Sequence, residues 1–211
     1  MLEQELFKKY DTQFALPRGL KGWIAGKVME FYNHDNNKRA AEILEIQSED
    51  RILEIGFGPG ELIELAANQA TKGLVAGIDP SETMLKMATR RNRQFINEGR
   101  VVLKLGKVTQ IPFEDKQFDK VCVVNNFQFW EDYIAGGKEI FRVLKDDGIL
   151  HICQRMRNPE RPFIGKYGYT LDDINDTEDQ IRKAGFKDVD RGVHMLPRES
   201  MAAFHIRKIK P

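Results

Sequence analysis

A glycine-rich turn directly after an apolar run is the feature of this sequence best suited to ligand chemistry. The run RILEI at 51–55 leads straight into Gly56, Gly58 and Gly60. Glycine lets the backbone turn tightly and approach a ligand closely, and a helix beginning at such a turn directs free N–H groups and its positive dipole end to the same place. Asp79 ends the next apolar run, where its carboxylate can accept both hydroxyl groups of a ribose. Together these residues predict a nucleoside-containing ligand.

The spacing of the glycines distinguishes between two kinds of ligand. Dinucleotide enzymes use the pattern G-x-G-x-x-G, which would require a third glycine at position 61, where this sequence has Glu61. The pattern here is E-x-G-x-G-x-G, from Glu54 to Gly60. A glutamate at the end of the strand is unfavourable beside a pyrophosphate and favourable beside a cationic amino group. The spacing therefore favours a ligand with an amino group over NAD.

The elements that must position these residues alternate along the chain. Strands are predicted from apolar runs at 51–55, 74–78, 101–105, 121–124 and 149–153, with two more near 186–193 and 202–209. Helical periodicity lies between them, including a helix capped by Ser81 and one from about Thr170 to Ala184. Such alternation predicts a mostly parallel sheet covered on both faces. Ligands of these sheets bind outside the carboxyl ends of the strands, where the glycine turn and Asp79 lie.

Five segments resemble, in the same order, the class I S-adenosylmethionine-dependent methyltransferases, particularly their type 11 small-molecule branch. They are LEIGFGPG, GIDPSETML, IPFEDKQFDKV, EIFRVLKDDGIL and AGFKDV, and the resemblance covers roughly residues 18–210. It implies an α/β, Rossmann-like doubly wound seven-stranded sheet with strand order 3-2-1-4-5-7-6 and strand 7 antiparallel. It also implies that the protein binds S-adenosyl-L-methionine, forms S-adenosyl-L-homocysteine and uses no metal.

The resemblance assigns cofactor-binding roles to positions of the glycine turn. The methionine part of the cofactor would be lined by Gly56, Phe57, Gly58 and Gly60, with Glu54 oriented towards its amino group. Four further positions follow later strands. Asp79 would hold the ribose, Pro80 and Met84 would border the adenine, and Asn125 would face the methionine moiety and the methyl acceptor. A plain core methionine is the alternative for Met84.

One turn departs from the family's pattern. Family members often place an acidic residue after strand 3, where it reads the adenine amino group, but this sequence has Gly106-Lys107-Val108. A lysine cannot accept that hydrogen bond. The backbone N–H of Val108 can still reach the adenine, so the expected loss is on the order of 1 kcal/mol. Lys107 and Val108 therefore remain cofactor-binding candidates.

The methyl acceptor is expected between strand 4 and the N-terminal segment. Residues 1–46 are predicted to form a helical cap over residues 47–211, within one compact domain, and residues 17–34 are expected to close the crevice. Phe127, Phe129 and Trp130 follow strand 4 and are candidates for an aromatic wall, with core packing as the alternative. His34 and Tyr32 in the cap are candidates for a catalytic base. The alternative for both is an exposed position at a helix end.

Composition limits the partners. The formal net charge is +1, so the whole-protein field indicates neither nucleic acid nor an anionic membrane, and no apolar run is long enough to span a bilayer. A basic run, Lys86 to Arg100, is expected to be a solvated face. We therefore expect a cytoplasmic methyltransferase that acts on an O or N atom of a small metabolite, mainly by positioning. The alternatives are an RNA or protein methyltransferase, a non-catalytic cofactor-binding protein and, last, a nicotinamide oxidoreductase. The sequence predicts neither the acceptor's identity nor the oligomeric state.

Overall fold

The sheet has seven strands in the order β3-β2-β1-β4-β5-β7-β6. A computed structural model describes residues 12–158, 160, 168–196 and 200–209. The strands are β1 Arg51–Ile55, β2 Leu74–Asp79, β3 Val101–Leu105, β4 Phe118–Val124, β5 Leu144–Arg155, β6 Asp188–Met195 and β7 Ser200–Arg207. Strands β1 to β5 pair in parallel, whereas β7 is antiparallel to both β5 and β6. The predicted Rossmann-like order is confirmed, and its switch point lies between β1 and β4.

Helices cover both faces of this sheet. They are α1 Thr12–Ala15, α2 Gly19–Ile43, α3 Glu61–Gln69, α4 Glu82–Arg91, α5 Arg93–Asn97, α6 Tyr133–Val143 and α7 Leu171–Lys183. One core cluster joins α6 and α7 to residues such as Leu53 and Val121. The other joins α2, α3 and α4 to residues such as Ile52 and Cys122. Adjacent residues of one strand thus serve opposite cores, which explains why the strands are continuously apolar.

Strands β4 and β5 begin earlier than the sequence predicts, at Phe118 and Leu144, and the short helix α5 was not predicted. Strand β5 begins at Leu144, directly after α6, because Phe118 pairs with Leu144 before the register shifts and Lys120 pairs with Ile149. This irregularity takes up the polar KDDG turn, where Asp147 has a φ of 65°. The short helix α5 follows α4 almost without a break. The early start of β5 depends on pairing with the distant β4, which local periodicity does not encode.

The end of helix α2 is part of the domain's core. Ala40, Ala41 and Leu44, at the end of α2, are buried with α3 and the sheet. The middle of α2 approaches α4 so closely that a Cβ added at Gly26 would lie 2.7 Å from the Met87 sulfur. The end of α2, which belongs to the expected cap at 1–46, therefore packs into the same core as the strands. Residues 1–11 of the expected cap lie outside the described residues. Within the described part of the chain, no helix combines the length and apolar character needed to cross a bilayer.

Candidate cofactor and acceptor site

A cavity of about 690 Å³ opens at the carboxyl ends of β1, β2, β4 and β5 and lies beneath α1 and α2. Its walls include the glycine turn, the ends of these strands and the inner side of α2. The volume falls within the range of small-molecule sites. The sheet's switch point therefore forms a site for a ligand of nucleoside size.

Glu54 points an unpaired carboxylate oxygen into a buried setting. The residue is 4% exposed, and its Oε2 has no hydrogen-bond partner among the described residues. Burial raises the pKa of Glu54 well above its usual value, and the negative charges of Asp79 and Glu61 raise it further. A buried carboxylate is stable only beside a cation or several donors. The donor set therefore fits a ligand with a positively charged amino group, as the resemblance implies.

Asp79 joins the glycine turn to the start of α4. Its two carboxylate oxygens accept hydrogen bonds from the backbone N–H of Gly58, at 2.9 Å, and from that of Ser81, at 2.8 Å. Burial raises the pKa of Asp79 to about 6, against the lowering effect of these two donors. Each oxygen keeps a lone pair that can accept a ribose hydroxyl. The carboxyl group is thus fixed in place before any ligand binds.

A different structural constraint favours glycine at each of the three positions of the turn. A Cβ at Gly58, where φ is +50°, would meet no atom within 4 Å, and Gly58 lines the cavity. A Cβ at Gly56 would lie 2.7 Å from the Asn126 side chain, which links the ends of β1 and β4. A Cβ at Gly60 would lie 2.7 Å from that of Ala88 on α4. Gly60 does not line the cavity, so its expected contact with the methionine part is replaced by a packing role.

Residues assigned to the adenine border one region of the cavity. Pro80, Met84, Lys107 and Val108 all line it, although Met84 is 1% exposed and also belongs to the core. The ammonium group of Lys107 lies 2.8 Å from a carboxylate oxygen of Glu131. This ion pair connects the loop after β3 to the loop after β4. Lys107, which stands where family members often have an acidic residue, thus holds two loops together at the rim of the cavity.

Asn125 sits at the end of β4 with a φ of 55°. Its Oδ1 accepts a hydrogen bond from the backbone N–H of Arg155 at 2.8 Å. The Arg155 guanidinium donates to the backbone carbonyl of Tyr32 at 2.7 Å and to Oδ1 of Asn33 at 3.0 Å. Both Asn125 and Arg155 line the cavity. The ends of β4 and β5 are thereby tied to the middle of α2, across the region where the acceptor was expected.

The three aromatic residues after β4 divide between wall and core. Phe129 and Trp130 line the cavity, and the indole N–H of Trp130 donates to Asn126. Phe127 is 2% exposed and packs against Trp130 and Tyr133 instead. Phe127 begins a single turn of 3-10 helix, Phe127–Phe129, and its side chain is buried in the core. For Phe127 the packing alternative is therefore correct.

The two candidate bases lie in different places. Tyr32 lines the main cavity. His34 lies outside it, in a smaller groove, and its Nδ1 contacts a carboxylate oxygen of Glu61. The other oxygen of Glu61 accepts from Asn37 at 2.7 Å. His34 therefore joins α2 to the start of α3, which is a structural role.

Sequence reasoning missed Gln154 and Gln128. Gln154 is 1% exposed and lines the cavity, and its Nε2 donates to no atom of the described residues. The Oε1 of Gln128, also at the cavity, accepts from none of them. The signal for Gln154 was available, because a polar residue directly follows the apolar run ILHIC at the ligand-binding edge. These amides give the cavity a donor and an acceptor for a bound molecule.

Comparison with known proteins agrees with this geometry. A family model described as a methyltransferase domain matches residues 53–152. The uncharacterized methyltransferase YdaC of Bacillus subtilis (strain 168) is 34% identical over 167 residues, which cover 79% of this chain and 88% of that protein. A demethylmenaquinone methyltransferase of Staphylococcus saprophyticus is 30% identical over 139 residues, covering 65% of this chain and 58% of that protein.

A solved structure shares the fold. The crystal structure of a SAM-dependent methyltransferase from Aquifex aeolicus matches with a TM-score of 0.69 at 15% identity and covers 98% of both chains. The strand order, the buried Glu54 and the fixed Asp79 carboxylate agree with the relatives' stated activity. The chain therefore belongs to the class I S-adenosylmethionine-dependent methyltransferases, and S-adenosyl-L-methionine is its methyl donor.

Proposed function

We propose that this enzyme methylates an O or N atom of a small, largely apolar metabolite in the cytoplasm, without a nucleic-acid partner. The observation that carries the proposal is the wall of the cavity between α2 and the ends of β4 and β5. Phe129 and Trp130 supply aromatic surface there, and Gln154 supplies a buried amide donor. This combination suits a molecule that is mostly apolar and presents an oxygen or nitrogen atom to a single donor.

The residues act mainly by holding the two reactants in line. When bound, S-adenosyl-L-methionine supplies a methyl group on a positively charged sulfur. Glu54 and Asp79 fix the donor, while Gln154 and Asn125 orient the acceptor. Good orientation alone can contribute about 7–11 kcal/mol to lowering the barrier, so a strong base is not required. Tyr32 of α2 lines the cavity, as does Glu30, whose carboxylate is paired with Lys27 and Arg91. In this mechanism the Tyr32 hydroxyl accepts the acceptor's proton and passes its own on to solvent.

Two alternatives stay open to experiment. The curated demethylmenaquinone methyltransferases among the relatives act on small molecules by name, which supports the metabolite over RNA or protein. An RNA substrate would make binding fall steeply with salt, because phosphate contacts release counterions. Conversion of the donor to S-adenosyl-L-homocysteine with any acceptor would exclude a non-catalytic role.

The proposal is tested by supplying the enzyme with a metabolite extract and S-adenosyl-L-methionine labelled in its methyl group. Mass spectrometry should find the label on one small, largely apolar compound, at an oxygen or nitrogen. Gln154→Leu should then lower kcat/KM for that compound roughly three- to tenfold, the value of one neutral hydrogen bond, and leave donor affinity unchanged. The exposed Gln69→Leu is the matched control. Label found only on RNA or protein would overturn the proposal.

A further inference from the structure

Helix α2 has an apolar face that points away from the domain. Leu20 is 76% exposed, Ile24 53% and Phe31 63%, and Trp23 beside them is 43% exposed. At 100° per residue these side chains fall within one stripe. The opposite side of the helix carries Gly22, Gly26 and Ala40, which are buried. The stripe is therefore a surface separate from the packing face, and large exposed apolar patches mark interaction sites.

Exposed cations lie within this outer face and beside it. Lys21 and Lys27 are exposed in the same half of α2, and Arg18, directly before the helix, is exposed as well. The acidic residue in this half of α2, Glu30, is bound by Lys27 at 2.7 Å and by Arg91 of α4 at 3.0 Å. The half-helix therefore presents cations together with the apolar stripe.

The basic run of α4 lies beside this half of α2. The ion pair between Arg91 and Glu30 and the contact of Met87 with Gly26 place the two helices side by side. Lys86, Arg90 and Arg93 are exposed on α4 and at the start of α5. Exposed cations therefore lie on α2 itself and on the helices that follow one another next to it. The net charge of the whole protein, +1, does not indicate this local cluster of cations, because a net charge carries no information on how the charges are distributed.

We propose that the outer face of α2 docks on an anionic lipid bilayer. Helices that lie in the membrane interface combine large apolar side chains with lysine and arginine, as this face does. Their apolar side chains enter the acyl boundary, and their cations contact anionic headgroups. The inner side of the same helix lines the cavity through Met29 and Asn33. Docking would therefore bring the cavity next to the bilayer, from which an apolar acceptor can enter. The proposal goes beyond the methyl-transfer function, and docking is measurable without any acceptor.

Vesicle binding tests this docking directly. The protein should sediment with vesicles made of equal parts phosphatidylglycerol and phosphatidylcholine, and much less with phosphatidylcholine alone. The chain has two tryptophans, so in a Trp130→Phe background Trp23 is the sole tryptophan and can be excited selectively over the tyrosines. Its fluorescence should shift to the blue and become quenched by brominated lipid acyl chains.

Matched variants distinguish binding through this surface from nonspecific binding of exposed apolar residues to vesicles. Leu20→Ser/Ile24→Ser/Phe31→Ser should reduce the partition coefficient at least tenfold. The control, Leu171→Ser/Val193→Ser/Met195→Ser, changes residues that are 70%, 55% and 80% exposed on other elements and should bind as the parent does. Lys21→Glu/Lys27→Glu should weaken binding to anionic vesicles, whereas Lys72→Glu/Lys183→Glu should have a smaller effect.

Three results would overturn the proposal. One is absence of binding to anionic vesicles with unshifted Trp23 emission. Another is equal loss of binding in both serine triples. The third is a concentration-dependent dimer that the α2 triple abolishes while vesicle binding stays absent, which would identify a second copy of the chain as the occupant.

Discussion

At the scale of single residues, the site holds acidic groups under conditions that do not suit their charge. Burial raises the pKa values of both Glu54 and Asp79. In the unfolded chain these carboxyl groups are ionised at neutral pH. In the folded protein, burial disfavours the ionised form of both groups. Each therefore lowers stability near pH 7, and this cost is lost as the pH falls towards the ordinary range of a carboxyl group. The donor's positive charges offset the cost when it binds.

Glu54→Gln should therefore have opposite effects on stability and binding. We expect a higher melting temperature for the donor-free protein, because a neutral amide is buried in place of an acid. Donor affinity should fall roughly ten- to hundredfold, corresponding to one hydrogen bond to a charged group. Thermal unfolding and calorimetry measure the two quantities, with the exposed Glu114→Gln as control. A lower melting temperature with undiminished affinity would show that Glu54 does not face the donor's amino group.

At the scale of elements, the glycines of one short turn have different roles, in ligand binding and in helix packing, although the sequence shows them as a single motif. The motif predicted a tight turn at a ligand, and Gly58 fits that reading. Gly60 instead adopts a φ of +82° and allows α3 to approach α4. The pattern alone could not separate these roles, because the partner of Gly60, Ala88, lies on a different helix. The same limit applies to Phe127, whose direction is set by the 3-10 turn.

Two alanine substitutions in this turn should be distinguishable. Gly58→Ala carries the strain of a positive φ, about 1–2 kcal/mol, and its Cβ enters the cavity, so donor binding should suffer most. Gly60→Ala adds a clash with Ala88 and should lower the free energy of unfolding by about 2–4 kcal/mol in total. Urea unfolding and donor titration, run on both variants, check the contrast. Equal unfolding free energies would contradict it.

The ion pair between Lys107 and Glu131 is the second testable contact between elements. Lys107→Glu places two like charges together at the rim and should weaken donor binding modestly, by no more than about 1 kcal/mol, because the pair is solvent-exposed. The exchange Lys107→Glu/Glu131→Lys should restore affinity, as measured by calorimetry. Failure of the exchanged pair to restore it would mean that Lys107 contacts the donor itself.

At the scale of the whole molecule, the resemblance to a family predicted more than local patterns did. The strand order and the antiparallel β7 followed from the five segments in sequence, and the structure confirms them. Periodicity alone gave alternating strands and helices. The N-terminal segment shows the limit, since α2 runs from Gly19 to Ile43 and shares a core with the sheet. The five segments that carry the resemblance begin at Leu53, after this helix, so they did not predict that packing.

Because α2 is continuous, a deletion through residue 34 would cut it, and a shorter truncation tests the cap more cleanly. Phe14, Leu16 and Pro17 line the cavity, and the Pro17 carbonyl accepts a hydrogen bond from the Ser81 hydroxyl. Removing residues 1–17 should speed donor dissociation several-fold in stopped-flow measurements and change the melting temperature little. Removing residues 1–11 is the matched control. An unchanged dissociation rate in the longer truncation would show that this segment does not close the cavity.

The position of β7 also bears on how the protein is synthesised. Strand β7 lies between β5 and β6, although it follows both in the chain. Until residues 200–207 leave the ribosome, β5 has an unpaired backbone edge along a strand that carries the apolar run ILHIC. Such an edge is a template for pairing with other chains, and nascent intermediates with unpaired strands aggregate readily. The emergence of residues 200–207 from the ribosome therefore ends a period in which this edge is open to pairing with other chains.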